Sequence, residues 1–139
     1  MKGCERMDFQ SITSNEEIQR FLEATNSLHD GYLIGVQYRN GAVTEKDKNG
    51  YYVDPENTEL LLRIMVTSIW NAVVEIEFEG LLKWQIINPV MSEILFTSVF
   101  FDDKGFVAWA DDAVETPKEL ADCSYAIAKT MKWRMIEKP

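Results

Sequence analysis

Between Val74 and Glu79 apolar and acidic residues alternate without a break: Val74, Ile76 and Phe78 against Glu75, Glu77 and Glu79. Side chains in a strand point to opposite faces with a period of two, so this segment lays one face on a core and presents three carboxylates on the other. A helix would scatter the same residues around its circumference. The segment sits inside a longer apolar stretch, 59–85, that reads as two or three consecutive strands. In 60–67, Leu60, Leu62, Ile64 and Val66 share one face while Leu61, Arg63, Met65 and Thr67 share the other. Apolar residues on most of both faces mark a central, covered strand. Ile69 to Ala72 reads as the connection. Gly80 interrupts the pattern as a bulge or tight turn does. Leu82, Trp84 and Ile86 then line one face of a third strand, which Asn88-Pro89 ends.

The flanking segments supply what covers this stretch. Ser14-Asn15-Glu16-Glu17 is a capping box, and Ile18, Phe21 and Leu22 follow at helical spacing, which predicts an amphipathic helix from Ser14 to about Thr25. Tyr32 to Arg39 reads as a strand. Asn40-Gly41 is a two-residue hairpin signal with its return strand at Ala42, Val43 and Thr44. Past Pro89, Glu93 to Phe101 reads as one strand apolar on both faces. Asp102-Asp103-Lys104-Gly105 is a hairpin turn into a partner strand, Phe106 to Ala110. Thr116-Pro117-Lys118-Glu119 starts a short helical turn. Tyr125, Ile127, Met131, Trp133 and Met135 then define a long last strand, bulged near Lys129.

Every connection is short enough for hairpins, and none holds the crossover helix that a parallel pair requires. The expected fold class is therefore α+β: an N-terminal helix packed on a mostly antiparallel sheet of about seven strands, as a meander or a sandwich. The 139 residues fit a single domain spanning 1–139, and 46% apolar residues suffice for a core.

The net charge of −9 argues against a nucleic-acid binder, whose phosphates need a basic surface, and against anionic membranes. It is compatible with a basic protein partner. The polar start MKGCERMDFQ has no apolar signal core, and no run approaches the roughly 18 apolar residues of a membrane span, so a cytoplasmic location is expected. In that setting Cys4 and Cys123 read as free thiols.

No nucleophile elbow, phosphate loop, dinucleotide turn or cofactor motif is present, and no residue stands out as catalytic. His29, the single histidine, forms with Asp30 a candidate polar site. As a general base or metal ligand it would need carboxylates brought in by the fold; the plainer reading is a polar turn between helix and strand. Asp102-Asp103 and Asp111-Asp112 fall at opposite ends of one hairpin and cannot share an ion. Asp111, Asp112 and Glu115 lack the spacing of a calcium loop, so no metal site is assigned. The acidic stripe Glu75, Glu77 and Glu79 is the candidate partner-binding surface. Its simpler alternative is a solvated sheet face paired with Lys132 and Arg134 on a neighbouring strand. Trp84, Trp109 and Trp133 are expected in the core.

Three segments, Leu28-His29-Asp30-Gly31-Tyr32-Leu33, Val74 to Leu81, and Phe106-Val107-Ala108-Trp109-Ala110-Asp111-Asp112, occur in an order that resembles a family of small uncharacterised bacterial proteins. That family carries a His-Asp after the first helix, a Phe-Glu-Gly near mid-chain and an aromatic-Trp segment late. The resemblance covers most of the chain from Leu28 onward and implies no established activity. Some proteins of this kind resemble immunity proteins, which neutralise a toxin by binding it. On that likeness, Glu75, Glu77 and Glu79 would face the basic cleft of a nuclease toxin. The expectation is a non-enzymatic binding protein. The alternatives are a small-ligand binder or enzyme centred on His29 and Asp30, and a structural subunit that oligomerises through a sheet edge.

Overall fold

The alternating segment forms the middle of a fourteen-residue strand, and the sheet extends from it in both directions. The computed structural model describes residues 8–41, 50, 54–69, 72–87 and 93–137. Their elements are β1 (Gln10–Ser11), α1 (Asn15–Ala24), β2 (Gly31–Arg39), β3 (Glu59–Val66), β4 (Ala72–Gln85), β5 (Glu93–Ile94), β6 (Ser98–Phe101), β7 (Val107–Ala110) and β8 (Tyr125–Glu137). Short 3-10 turns lie at Asn26–Leu28, Pro55–Asn57 and Pro117–Asp122. The strand order is β5-β2-β3-β4-β8-β7-β6, all antiparallel, with β1 added beside β8. Two three-stranded meanders, β2-β3-β4 and β6-β7-β8, thus join through the β4–β8 pair. The sheet curls into a half-barrel around α1.

The helix begins as its sequence dictates. Ser14 Oγ accepts from the Glu17 backbone N–H at 3.3 Å, and the Glu17 carboxylate reaches back to the Thr13 N–H at 3.3 Å. Ile18 and Phe21 face inward, and Phe21 meets Trp133 edge-on with ring centroids 5.2 Å apart. Around them lie Leu60, Leu62, Ile64 and Val66 of β3, Val74, Ile76 and Phe78 of β4, Trp109 of β7 and Met131 of β8. A second, smaller cluster sits on the outer face of the sheet, where the turn Pro117–Asp122 folds over Ala110, Tyr125 and Ile127.

Three expectations need correction. The second and third strands of the central stretch are one continuous β4, because Gly80 adopts φ +65° inside the strand as a kink and does not turn the chain. The expected strand Glu93 to Phe101 is two: β5 pairs with β2 at one end of the sheet and β6 with β7 at the other. Leu95 to Thr97 crosses between those ends, which leaves Leu95 and Phe96 exposed where the run had suggested burial on both faces. Finally, β8 does not keep Tyr125 and Ile127 on the face of Met131 and Trp133. The first pair joins the outer cluster and the second the main core, so the strand changes face beside Lys129, opposite Gly80. The return strand expected at Ala42 to Thr44 lies outside the described residues.

Candidate functional site

Register sets what the acidic stripe meets. Glu75 is directly opposite Arg63 of β3 on one side and Arg134 of β8 on the other; Glu77 is opposite Lys132. Each Glu75 oxygen accepts one charge-assisted hydrogen bond, from Arg63 Nε at 2.7 Å and from Arg134 Nε at 2.7 Å. The carboxylate is closed off, with its side chain 1% exposed. Burial opposes its ionisation, but the bonds from Arg134 and Arg63 outweigh that and hold it below the usual carboxylate range. Phe9, just ahead of β1, lies over the Arg134 guanidinium at 4.2 Å.

The stripe is therefore graded along its length. Glu77 is 21% exposed and Glu79 41%. Lys132 bonds Glu79 at 2.9 Å and reaches Glu77 only at 3.8 Å, so burial wins at Glu77 and raises its carboxyl above the ordinary value. Arg39 of β2 pairs with Glu59 at 3.1 Å. This offsets the repulsion between Glu59 and Glu79, which sit opposite each other. On this outer face four cations, Arg39, Arg63, Lys132 and Arg134, meet four carboxylates, Glu59, Glu75, Glu77 and Glu79. The cross-strand pairing with Lys132 and Arg134 follows the sequence; Arg63 as the second partner of Glu75 does not. Its signal was there: a lone charge in an otherwise apolar central strand needs a partner.

His29 and Asp30 lie at the seam where β5 closes onto β2. The turn before them is left-handed, with φ of 52°, 55° and 55° at Asn26, Ser27 and Leu28 and 59° at Asp30. Such backbone costs about 1–2 kcal/mol per residue. Hydrogen bonds from Ser68 Oγ to the His29 carbonyl (2.6 Å) and from Thr67 Oγ1 to the Asp30 carbonyl (2.8 Å) hold it. His29 Nδ1 is 2.9 Å from the Leu95 carbonyl, which can only accept, so Nδ1 carries the proton. Nε2 lies 3.5 Å from Asp30 Oδ1. A hydrogen bond with Asp30 raises the Glu93 carboxyl above its usual value. These contacts fasten the Leu95 crossing to the turn that follows α1.

The remaining candidates are separate. Asp102 and Asp111 mark opposite ends of the β6–β7 hairpin, as expected. Asp102 Oδ1 accepts from Lys104 N and Phe106 N, both at 2.9 Å. Asp111 Oδ1 accepts from Ser124 N at 2.9 Å, and burial pushes its carboxyl up. Among the described residues no group of three His, Cys, Asp or Glu side chains could hold a metal ion. Cys123 is buried and unbridged, and burial raises its thiol. Trp109 and Trp133 are core residues, while Trp84 is only half-buried, against the exposed Tyr38 at 5.3 Å.

Beyond the stripe, the segment from Asp102 to Asp122 holds seven carboxylates and two lysines. Asp112, Glu115, Glu119 and Asp122 are all exposed. Beside the last two, a cleft of about 210 Å³ opens between Leu120, Ala121, Tyr125, Ile127 and Lys83. No sequence periodicity marks this region, because it is a turn folded over a sheet. No described helix is long and apolar enough to cross a membrane. Comparison with protein-family models, curated proteins and solved structures finds no match to the chain.

Proposed function

We propose that the chain is a non-enzymatic protein-binding protein of the immunity type, which holds a basic partner through an acidic surface. One observation carries the reading: carboxylates on the outer sheet face are matched by cations, whereas Asp112, Glu115, Glu119 and Asp122 are exposed, the last two next in sequence to Leu120 and Ala121 of a cleft whose one charged lining residue is Lys83. Protein interfaces pair an apolar centre with a polar rim, and a charged rim steers an oppositely charged partner. Glu79, and to a lesser degree Glu77, extend the acidic surface; Glu75 has no exposed face to add.

The test is affinity capture from lysate of the source organism, comparing the native chain with a Glu115→Lys/Asp122→Lys variant of matched thermal stability. The native chain should retain one basic protein in near-equal amount, released by salt, and the variant should lose it. An empty native capture, or equal retention by the variant, refutes the reading. Glu77→Lys should weaken capture less than the double variant does.

A further inference from the structure

We propose that the outer sheet face carries an oxyanion site in which Arg63, oriented by Glu75 and flanked by Gln37, holds the carboxylate or phosphate group of a ligand. This site is separate from the acidic surface and goes beyond the reading above. A carboxylate and a guanidinium usually meet as a two-pronged fork. Here Arg63 and Arg134 each give Glu75 one N–H, from Nε, and their terminal nitrogens have no partner among the described residues. Two guanidinium groups share the single Glu75 carboxylate, although across the whole face four cations balance four carboxylates. Glu75 lies beneath, 1% exposed, while the Arg63 side chain is 55% exposed. A buried carboxylate thus fixes the stem of an arginine whose two terminal nitrogens remain available.

A recess is present at that position. About 150 Å³ is bounded by Gly35, Val36, Gln37, Leu61 and Arg63, and Arg63 is its sole charged residue. A neighbouring cleft of about 140 Å³ shares Gln37 and Leu61, but there Arg39 and Arg134 are matched by Glu59 and Glu77, so it offers an anion no unopposed cation. The choice between the two falls on the Arg63 recess. Gly35 lies against the Arg63 stem: a Cβ there would meet Arg63 Cβ, Cδ and Cγ at 3.5, 3.6 and 3.8 Å, so the short residue lets the stem pack on β2. The volume suits a group of a few heavy atoms, since drug-sized ligands occupy roughly 300–1,000 Å³. The ligand is thus anchored by its oxyanion, with Gln37 as a second donor and the remainder of the molecule outside. The net charge of −9 does not forbid this, because charges beyond about 8 Å are largely screened at physiological ionic strength.

The test is an amide-shift NMR titration of the full chain with succinate and, separately, inorganic phosphate, against sodium chloride at equal ionic strength. Saturable shifts centred on Gly35, Gln37, Leu61 and Arg63 are expected with at least one probe, and the tighter probe identifies the source as carboxylate or phosphate. Arg63→Gln should weaken binding at least about tenfold by removing the terminal N–H pair. Gln37→Leu, which leaves Glu75 and both arginines in place, should weaken binding by removing the second donor. Shifts no larger than those from chloride, or undiminished binding by both variants, overturn the proposal.

Discussion

Replacing Arg134 by Met isolates the energetics of the buried carboxylate. The methionine keeps the apolar stem packed beside Phe9 and removes only the guanidinium. Glu75 is then left 1% exposed with Arg63 as its single partner. Breaking a fully buried ion pair costs about 3–5 kcal/mol, because the remaining charge is trapped without compensation. Arg63 still donates its 2.7 Å bond and is 55% exposed, so the loss falls below that range, about 2–3 kcal/mol. Losing the cation over the Phe9 ring adds about 0.5–1 kcal/mol. Urea unfolding at pH 7 should therefore show a loss near 3 kcal/mol with an unchanged m-value. The pH dependence carries a sign. The folded carboxyl of Glu75 lies below its unfolded value, so its stabilisation is present above the ordinary carboxylate pKa and lost as pH falls through the folded one. The gap between native and Arg134→Met should narrow as the solution is acidified below about pH 4. A variant with all three residues made apolar, Arg63→Met/Glu75→Leu/Arg134→Met, should be at least as stable as the native chain, since no charge is then buried. If Arg134→Met alone stays within about 0.5 kcal/mol of native at pH 7, water reaches Glu75 and the reasoning fails.

Two further perturbations test the scaffold. Phe21→Ala empties the fully buried contact of α1 with Trp133 and should cost about 3–5 kcal/mol by chemical denaturation, with an edge-on coupling of about 0.5–1.5 kcal/mol recovered in a double-mutant cycle with Trp133→Leu. Gly80→Ala puts a side chain at φ +65° with its Cβ 3.0 Å from Lys129 Cβ, which the backbone fixes, so thermal unfolding should report more than the backbone penalty of about 1–2 kcal/mol alone.

Local chemistry made most of the fold legible. The Ser14 cap, the alternation at Val74–Glu79 and the Asp102–Gly105 turn each depend on residues close in sequence, and each appears where its residues require. What failed depends on contacts distant in sequence. Glu93–Phe101 has the composition of one strand, yet its two halves pair at opposite ends of the sheet, and only closure of the half-barrel decides that. The change of face in β8 falls beside Lys129, where the sequence suggested a bulge, and lies opposite the Gly80 kink of the neighbouring strand, which alternation within β8 does not show. For the candidate site, the stripe itself and two of its cations, Lys132 and Arg134, were visible. That Glu75 would be closed off, and the exposed acidic charge lie at 112–122, depended on β3 bringing Arg63 to the other side.

The same triad bears on why β4 and β8 pair as they do. Slipping an antiparallel strand by one residue turns every side chain to the wrong face, which the apolar pattern forbids. Slipping by two keeps the faces, and Ile76 and Phe78 would still point inward. Apolar patterning alone therefore leaves the even registers close in energy. The charges separate them. A two-residue slip one way would place Ile136 opposite Glu75, and a slip the other way would place Lys132 there and Val73 opposite Arg134. Both lose the Arg134 bond to a carboxylate that β3 already holds in a closed position; the slip that brings Ile136 costs as much as Arg134→Met, and the slip that brings Lys132 replaces a guanidinium by an ammonium. Glu75 thus favours one β4–β8 register among those the core would accept, while the pairing of β3 with β2 sets Arg63 opposite Gly35.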